Sequence, residues 1–325
     1  MKKVFLIGGA GYIGSELTKK LLNKGYQVEI YDLFLYGDNI SDHKNLKKTR
    51  GDIRDIKYLE KKIKFVDYII HLACISNDPS FDLDPDLGKS INYDPFEKLV
   101  QISRDKGVKR FIYASSSSVY GIKNFQNVDE DCSLEPITDY SRFKVMCEEI
   151  LYKYNTSNFV CSSIRPATVC GYSDRQRLDL VVNILTNLAY NKGKIIVYGG
   201  DQLRPNIHIS DICNSYLMML EVDKNLINGQ SFNVGFENYS VNLLAEMVKD
   251  TLSKNISIIK ELSNDDRSYH ISSKKIKKIL NFKPNHSIKD AIIDLKKAFE
   301  QKKFKNPLEN EMYFNINRMK SLKLK

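Results

Sequence analysis

The chain has 325 residues, 42% hydrophobic and 28% charged, a balance that suits a soluble protein with one broad α/β domain or two closely joined ones. No run of about 18 apolar residues occurs, so no membrane-spanning helix is expected, and the direct start on an apolar strand argues against a secretory leader and for a cytoplasmic location. The formal charge of +10 comes largely from lysines in 44–64, 274–278 and beyond 296, which read as solvated helix faces, so nucleic acid is not an expected partner; the six scattered cysteines lack any C-x-x-C and argue against a metal site or a disulfide frame.

Val4-Phe5-Leu6-Ile7 is an apolar run that predicts a buried parallel strand over Lys3–Ile7. The turn Gly8-Gly-Ala-Gly11-Tyr12-Ile13-Gly14 follows. After it Ile13, Leu17, Leu21 and Leu22 recur at helical spacing over 12–22. Gly8, Gly11 and Gly14 thus stand in a G-x-x-G-x-x-G pattern between strand and helix. Glycines there let backbone N–H groups approach a diphosphate, and the positive end of the helix faces it. A second strand is predicted at 27–31, ending on Asp32. An acidic residue about 20 positions beyond the glycines can hold the ribose hydroxyls of a dinucleotide. A carboxylate there also repels a 2′-phosphate, which favours NAD over NADP. Gly51-Asp52-Ile53-Arg54-Asp55 lies beside a short third strand. In that segment a carboxylate next to an apolar residue can hold an adenine amino group, or the segment is a plain turn.

Further strands are predicted at 67–72, 110–114 and 159–165, with helices between them that include 88–106 and 140–154. This alternation predicts an α/β fold, a Rossmann-type doubly wound parallel sheet, over residues 1–166. Beyond Arg165 the order loosens. Helices are predicted at 177–190, 211–221, 241–252, 272–280 and 287–303, with short strands at 195–198 and 231–234. Residues 167–325 show no obvious core of their own. They are expected to form a smaller, mixed α/β substrate-binding portion over the carboxyl edge of the sheet, with the chain crossing back to it.

Tyr140-Ser-Arg-Phe-Lys144 places a phenol and an ammonium four positions apart, on one face of a predicted helix. An ammonium beside a phenol stabilises the phenolate, lowers its pKa and makes it a general base near neutral pH. Ser115-Ser116-Ser117-Ser118-Val119-Tyr120-Gly121 ends a predicted central strand. A serine there can donate to the oxygen that the tyrosine deprotonates. His71 follows a buried strand and reads as structural, and His208 as a loop-orienting residue.

With these motifs in this order, the chain resembles the extended short-chain dehydrogenase/reductase superfamily, in its NAD-dependent sugar-nucleotide epimerase/dehydratase branch. The resemblance runs to about Ala298. It is carried by the glycine turn, Asp32, the segment 51–55, His71-Leu72-Ala73, Asn92, the serine run and Tyr140-x-x-x-Lys144. Arg165-Pro166, the run from Arg204 to Asp211 and Phe232-Asn233-Val234-Gly235 extend it. It implies Ser116, Tyr140 and Lys144 as catalytic residues, with Tyr140 the base at sugar carbon 4 and Lys144 also on the nicotinamide ribose. It implies NAD contacts at Gly8, Gly11, Tyr12, Ile13, Gly14, Asp32, Asp52, Ile53, Leu72, Ala73 and Asn92, besides Tyr140 and Lys144. On the substrate side it implies Ser116, Tyr140, Thr168 and Arg204. Arg267 is a second candidate for the substrate's diphosphate, and Arg175 and Arg177 are further phosphate or base candidates, since a guanidinium fork binds phosphate oxygens in pairs. Thr168 stands where sugar epimerases often carry asparagine.

Dehydratases of this branch usually carry Asp-Glu directly after the catalytic serine or threonine. Here those positions are Ser117 and Ser118, which are not ionisable near neutral pH, so dehydration is disfavoured. What remains is 4-epimerisation of a nucleotide-diphosphate sugar, or net oxidation releasing a 4-keto sugar nucleotide, for which relatives acting on GDP-heptose are a match. A cofactor-binding scaffold without catalysis is disfavoured because both Tyr140 and Lys144 are kept. The resemblance also implies a homodimer formed through the helices at 88–106 and 140–154.

Overall fold

In the computed structural model, which describes residues 1–123, 125–252, 255–262, 270–322 and 324, β1 (Lys3–Ile7) is buried from Val4 onward. Successive strand side chains point to opposite faces. Accordingly Val4 and Leu6 enter one apolar core while Phe5 and Ile7 enter another. A strand buried on both sides needs helices above and below it, and that requirement sets the architecture. β2 (Gln27–Asp32), β3 (Leu46–Arg50), β4 (Tyr68–His71), β5 (Arg110–Ala114) and β6 (Val160–Pro166) follow. Later come β7 (Thr168–Cys170), β8 (Lys194–Tyr198), β9 (Leu203–His208), β10 (Gln230–Val234), β11 (Glu237–Ser240) and β12 (Ser257–Glu261).

The main sheet has seven strands in the order β10-β6-β5-β4-β1-β2-β3. All its pairings are parallel. The helices Tyr12–Asn23 and Ile209–Glu221 cover one face, contributing Leu17, Leu21, Ile212 and Tyr216 to the core there. Ile56–Lys62, Phe96–Asp105 and Asp139–Lys153 cover the other, with Leu59, Leu99 and Leu151 inside. Ile7 stands opposite Tyr31 on one side and His71 on the other. The chain therefore leaves β1 in one direction and returns in the other. The carboxyl ends of β1 and β4 border the crevice where such sheets take ligands.

The doubly wound parallel sheet is the one the alternation predicts, with three differences. The expected helix at 88–106 is two helices, Pro85–Asn92 and Phe96–Asp105. Pro95 cannot donate an N–H, and a proline disfavours helical backbone angles at the residue before it. Second, the sheet is not complete at residue 166: the chain crosses back, as expected, and β10 adds the seventh strand on the far side of β6. A buried polar chain ties the two strands together. Arg165 donates to both Glu148 oxygens at 3.0 and 2.6 Å and to the Tyr120 hydroxyl at 2.7 Å, which donates to Asn233 Oδ1 at 2.7 Å.

Third, the later part has a core of its own. The helices Val181–Lys192, Val241–Leu252 and Ile288–Glu300 pack around Leu185, Ile195, Val197, Leu244 and Ile292. Each helix supplies only a few apolar positions. Their sum becomes a core only when segments a hundred residues apart meet. Two small sheets, β11-β9-β7 and β12-β8, accompany them. The helix Asn315–Leu322 then brings the chain back to the crevice. Among the described residues no helix is long and apolar enough to cross a membrane, and no group of three or more His, Cys, Asp or Glu side chains is placed to hold a metal ion.

Candidate active site

The glycine turn forms the floor of the crevice. Gly8 has φ +83°, and a Cβ there would stand 2.4 Å from the Ala73 nitrogen; one on Gly14 would stand 2.4 Å from the Gly8 oxygen. Side chains at these positions would push the turn out of shape. Gly11 caps the helix Tyr12–Asn23 without any side-chain hydrogen bond. The first-turn N–H groups of a helix have no intrahelical partners, so they remain available to an anion. Beside the turn, Asp32 Oδ2 accepts from the Ala10 N–H at 3.0 Å and Oδ1 from the Phe34 N–H at 2.7 Å. Burial raises the Asp32 pKa, and the two N–H donors oppose that. A cavity of about 130 Å³ opens here, lined by Asp32, Gly51, Ile53, Ala73, Tyr36 and Met319 among others. A cradle of backbone donors that side chains would fill, next to a carboxylate positioned for vicinal hydroxyls, fits a dinucleotide.

The larger cavity, about 490 Å³, continues from Gly11 and Ile13 to Ser116, Tyr140, Lys144, Thr168 and Arg204. Thr138 caps the helix Asp139–Lys153 in a capping box with Ser141, which fixes the direction of the Tyr140–Lys144 face. Lys144 is buried, donates to the Ala114 carbonyl at 2.6 Å, and lies 4.8 Å from the Tyr113 ring centre and 5.6 Å from that of Tyr140. Ser116 caps a short 3₁₀ turn, Ser117–Tyr120. Its Oγ accepts the Ser118 N–H at 3.1 Å and lies 2.8 Å from the Ser118 hydroxyl.

Tyr140 departs from expectation. Its pKa is raised well above the ordinary phenol value, first by burial and then by Cys74 and Asp78. A hydrogen bond with Ser116 and the charge of Arg177 oppose the rise. The neighbouring ammonium does not overcome desolvation, and its own hydrogen bond goes to the Ala114 carbonyl.

Several expected contacts have other partners. The Asp52 carboxylate is gripped by Arg54, with Oδ1 accepting its N–H at 2.9 Å and its Nε–H at 3.0 Å, and Oδ2 accepting its Nη2–H at 2.6 Å. Its neighbours Gly51 and Ile53 line the smaller cavity instead. Asn92 accepts the Ile75 N–H at 2.8 Å and donates to the Ile75 carbonyl at 3.0 Å, so it pins the loop after β4. The Tyr12 phenol donates to the Gly171 carbonyl at 2.7 Å and accepts from Asn183 at 3.1 Å, which anchors the helix to the later part. Tyr12 and Ile13 both line the larger cavity. Leu72 lines both cavities and Ala73 the smaller one. Arg267 lies outside the described residues.

His71 is buried among Phe96, Phe111 and Tyr113, and burial pulls its pKa down to about 3. It is a neutral core residue, in keeping with the structural reading. His208 Nδ1 accepts the Ser210 N–H at 3.1 Å and caps the helix Ile209–Glu221.

The cavities also bring in residues that sequence patterns did not single out: Tyr36, Cys74, Ser76, Asp78 and Asn315. Only the run Asn77-Asp78-Pro79 carries a local signal, that of a helix start, since Asn77 accepts the Ser80 N–H at 3.0 Å. Arg175 and Arg177 both line the larger cavity. Arg177 is paired with Asp179 at 2.8 Å.

A family model described as the NAD dependent epimerase/dehydratase family matches residues 4–235. The UDP-glucose 4-epimerase of Lactobacillus helveticus is 26% identical over 312 residues, covering 90% of this chain and 94% of that protein. Among solved structures, a UDP-N-acetylglucosamine 4-epimerase from Methanobrevibacter ruminantium M1, in complex with UDP-N-acetylmuramic acid, superposes with TM-score 0.85 at 26% identity, covering 93% of this chain and 99% of that one. A UDP-glucuronic acid 4-epimerase from Bacillus cereus, in complex with UDP-glucuronic acid and NAD, gives TM-score 0.82 at 25% identity over 92% and 99% of the two chains. With the family model spanning more than half the sequence and a crevice that fits the dinucleotide, this chain belongs to the NAD-dependent epimerase/dehydratase family of enzymes.

Proposed function

We propose that the protein is a sugar-nucleotide 4-epimerase that takes a nucleotide-diphosphate sugar. The observation that carries this reading is the serine turn. Ser116 stands with Tyr140 and Lys144 around one cavity, while the next two positions are Ser117 and Ser118, so those two positions supply no carboxylate as the extra acid and base of a dehydratase. The 4-epimerase names of the relatives support the same reaction class and a UDP-sugar substrate.

NAD, when bound, supplies a reversible hydride acceptor. The backbone of Gly8, Gly11 and Gly14 would hold its diphosphate, Asp32 its ribose, and Leu72 and Ala73 would flank it. Tyr140 is the base for the proton of the carbon 4 hydroxyl and returns it when that carbon is reduced from the other face. Ser116 donates to the same oxygen and stabilises the phenolate. Lys144 lies beside the phenol ring and would hold the nicotinamide ribose. Arg204, on β9, binds the substrate diphosphate, and Thr168 borders the sugar. In this reading residues 1–166, completed by β10, carry the cofactor, and the rest mainly carries the substrate. The helices Phe96–Asp105 and Asp139–Lys153 would form the contact of a homodimer, which sedimentation at micromolar concentration tests: monomer alone would refute it.

The deciding experiment offers the purified enzyme UDP-glucose, UDP-N-acetylglucosamine, UDP-glucuronic acid and a GDP-sugar, and follows the anomeric and H4 signals by NMR. Equilibration of the carbon 4 epimers without net NADH is the expected result. Stoichiometric NADH with a 4-keto product would replace epimerisation by net oxidation. Tight NAD binding with no turnover of any sugar would leave a scaffold.

A further inference from the structure

Arg175 is only 3% exposed, yet its Nε and Nη1 have no hydrogen-bond partner among the described residues. Burying such donors unpaired is costly, and more so on a cation. The rest of the guanidinium is firmly held. It lies 3.6 Å from the centre of the Tyr36 ring, and its Nη2 donates to Asn315 Oδ1 at 2.7 Å. Asn315 is fixed in turn, since its Nδ2 donates to Ser76 Oγ at 2.9 Å and its N–H to Asp179 Oδ2 at 2.9 Å. A buried cation fixed on two sides and unpartnered on the third, in the wall of a cavity, is a built anion site.

Asn315 opens the helix Asn315–Leu322, and that helix reaches across the adenosine side of the crevice. Asn315 lines both cavities and Met319 lines the smaller one with Asp32. Arg318 Nε donates to the Leu35 carbonyl at 2.8 Å, which fastens the helix to the loop after β2. We propose that this carboxyl-terminal helix is part of the cofactor site: Met319 closes over the adenosine, and Asn315 holds Arg175 so that its two remaining donors meet the dinucleotide's diphosphate. The substrate carries a diphosphate too. Arg175 itself lines the larger cavity, but it is assigned to the dinucleotide because Tyr36 and Asn315, which hold it, also line the smaller cavity with Asp32. The proposal rests on the NAD cofactor and not on which sugar is turned over.

The test uses the full chain freed of bound nucleotide and measures NAD, AMP and UDP affinity by calorimetry, with circular dichroism as a check on folding. Asn315→Ala and Arg175→Gln are expected to weaken NAD binding about tenfold, the effect of losing one hydrogen bond to a charged group, and to leave UDP binding unchanged. Met319→Ala is expected to weaken AMP and NAD together. Lys320→Ala, on the exposed face of the same helix, changes none of them. Unchanged NAD affinity in folded Asn315→Ala and Met319→Ala proteins would overturn the proposal, even if Arg175→Gln fails to fold. A loss of UDP affinity in Arg175→Gln with NAD affinity intact would overturn the assignment to the dinucleotide. Neither outcome depends on sugar turnover, so a failed epimerase assay leaves this test standing.

Discussion

The two ends of the crevice are built on different principles. At the amino-terminal turn the working groups are backbone, supplied by a stretch of eleven consecutive positions from Val4 to Gly14 and shaped by contacts too close for a Cβ. At the opposite end they are side chains, gathered from the serine turn, the helix Asp139–Lys153, β7 and β9. A backbone site binds a cofactor in one way and accepts little variation. A side-chain site can be retuned residue by residue, and it is where relatives of one fold part company over substrate.

The sharpest way to separate the two ends is Tyr140→Phe. It should lower kcat about 10²- to 10⁴-fold, the usual worth of a general base, while calorimetry finds NAD affinity nearly unchanged; an active Phe variant would remove Tyr140 from the chemistry. Breaking the frame under both ends should cost stability instead. Glu148 is 3% exposed and pairs with Arg165, so Glu148→Ala leaves a buried cation unpaired and should destabilise by about 3–5 kcal/mol in chemical denaturation. On the backbone side, Gly14→Ala should weaken NAD binding and cost about 1–3 kcal/mol, because the new methyl group would meet the Gly8 carbonyl. A normal NAD affinity in that variant would mean that the turn has more room than its geometry indicates.

The smallest effect concerns pH. In the proposed role Tyr140 acts deprotonated, and burial raises its pKa, so kcat/KM should fall as pH falls on the limb that this phenol governs. Asp78 contributes to the rise by repelling the phenolate. Asp78→Asn should therefore move the limb of the profile toward lower pH, and Ser116→Ala, which removes a stabilising hydrogen bond, toward higher pH as well as slowing turnover. Shifts in the opposite directions would contradict this account of the phenol's surroundings.

The same division explains what could be read from the chain alone. The strand Lys3–Ile7, the helix after it and the Tyr140–Lys144 pair are local and periodic, so spacing reveals them. Asp52 and Asn92 sit at the right places in a pattern, but their partners decide what they do. Arg54, two residues on, pairs with the first, and the Ile75 backbone, seventeen residues back, holds the second in place. Arg175 and Asn315 are 140 positions apart. No periodicity links them, so the approach of the last helix to the crevice is not legible in the sequence. Tyr140 shows the limit in energy as well as in distance: the motif implies a lowered pKa, whereas burial, invisible in a motif, raises it.

The seventh strand has a consequence for how the protein is made. β6 gains its outer neighbour only from residues 230–234, more than sixty positions later. During synthesis the nascent amino-terminal half must wait with that edge uncovered, its backbone donors and acceptors open to another chain. Cutting the gene after residue 166 would make that state permanent, and the fragment would be prone to aggregate rather than to behave as a portable cofactor module.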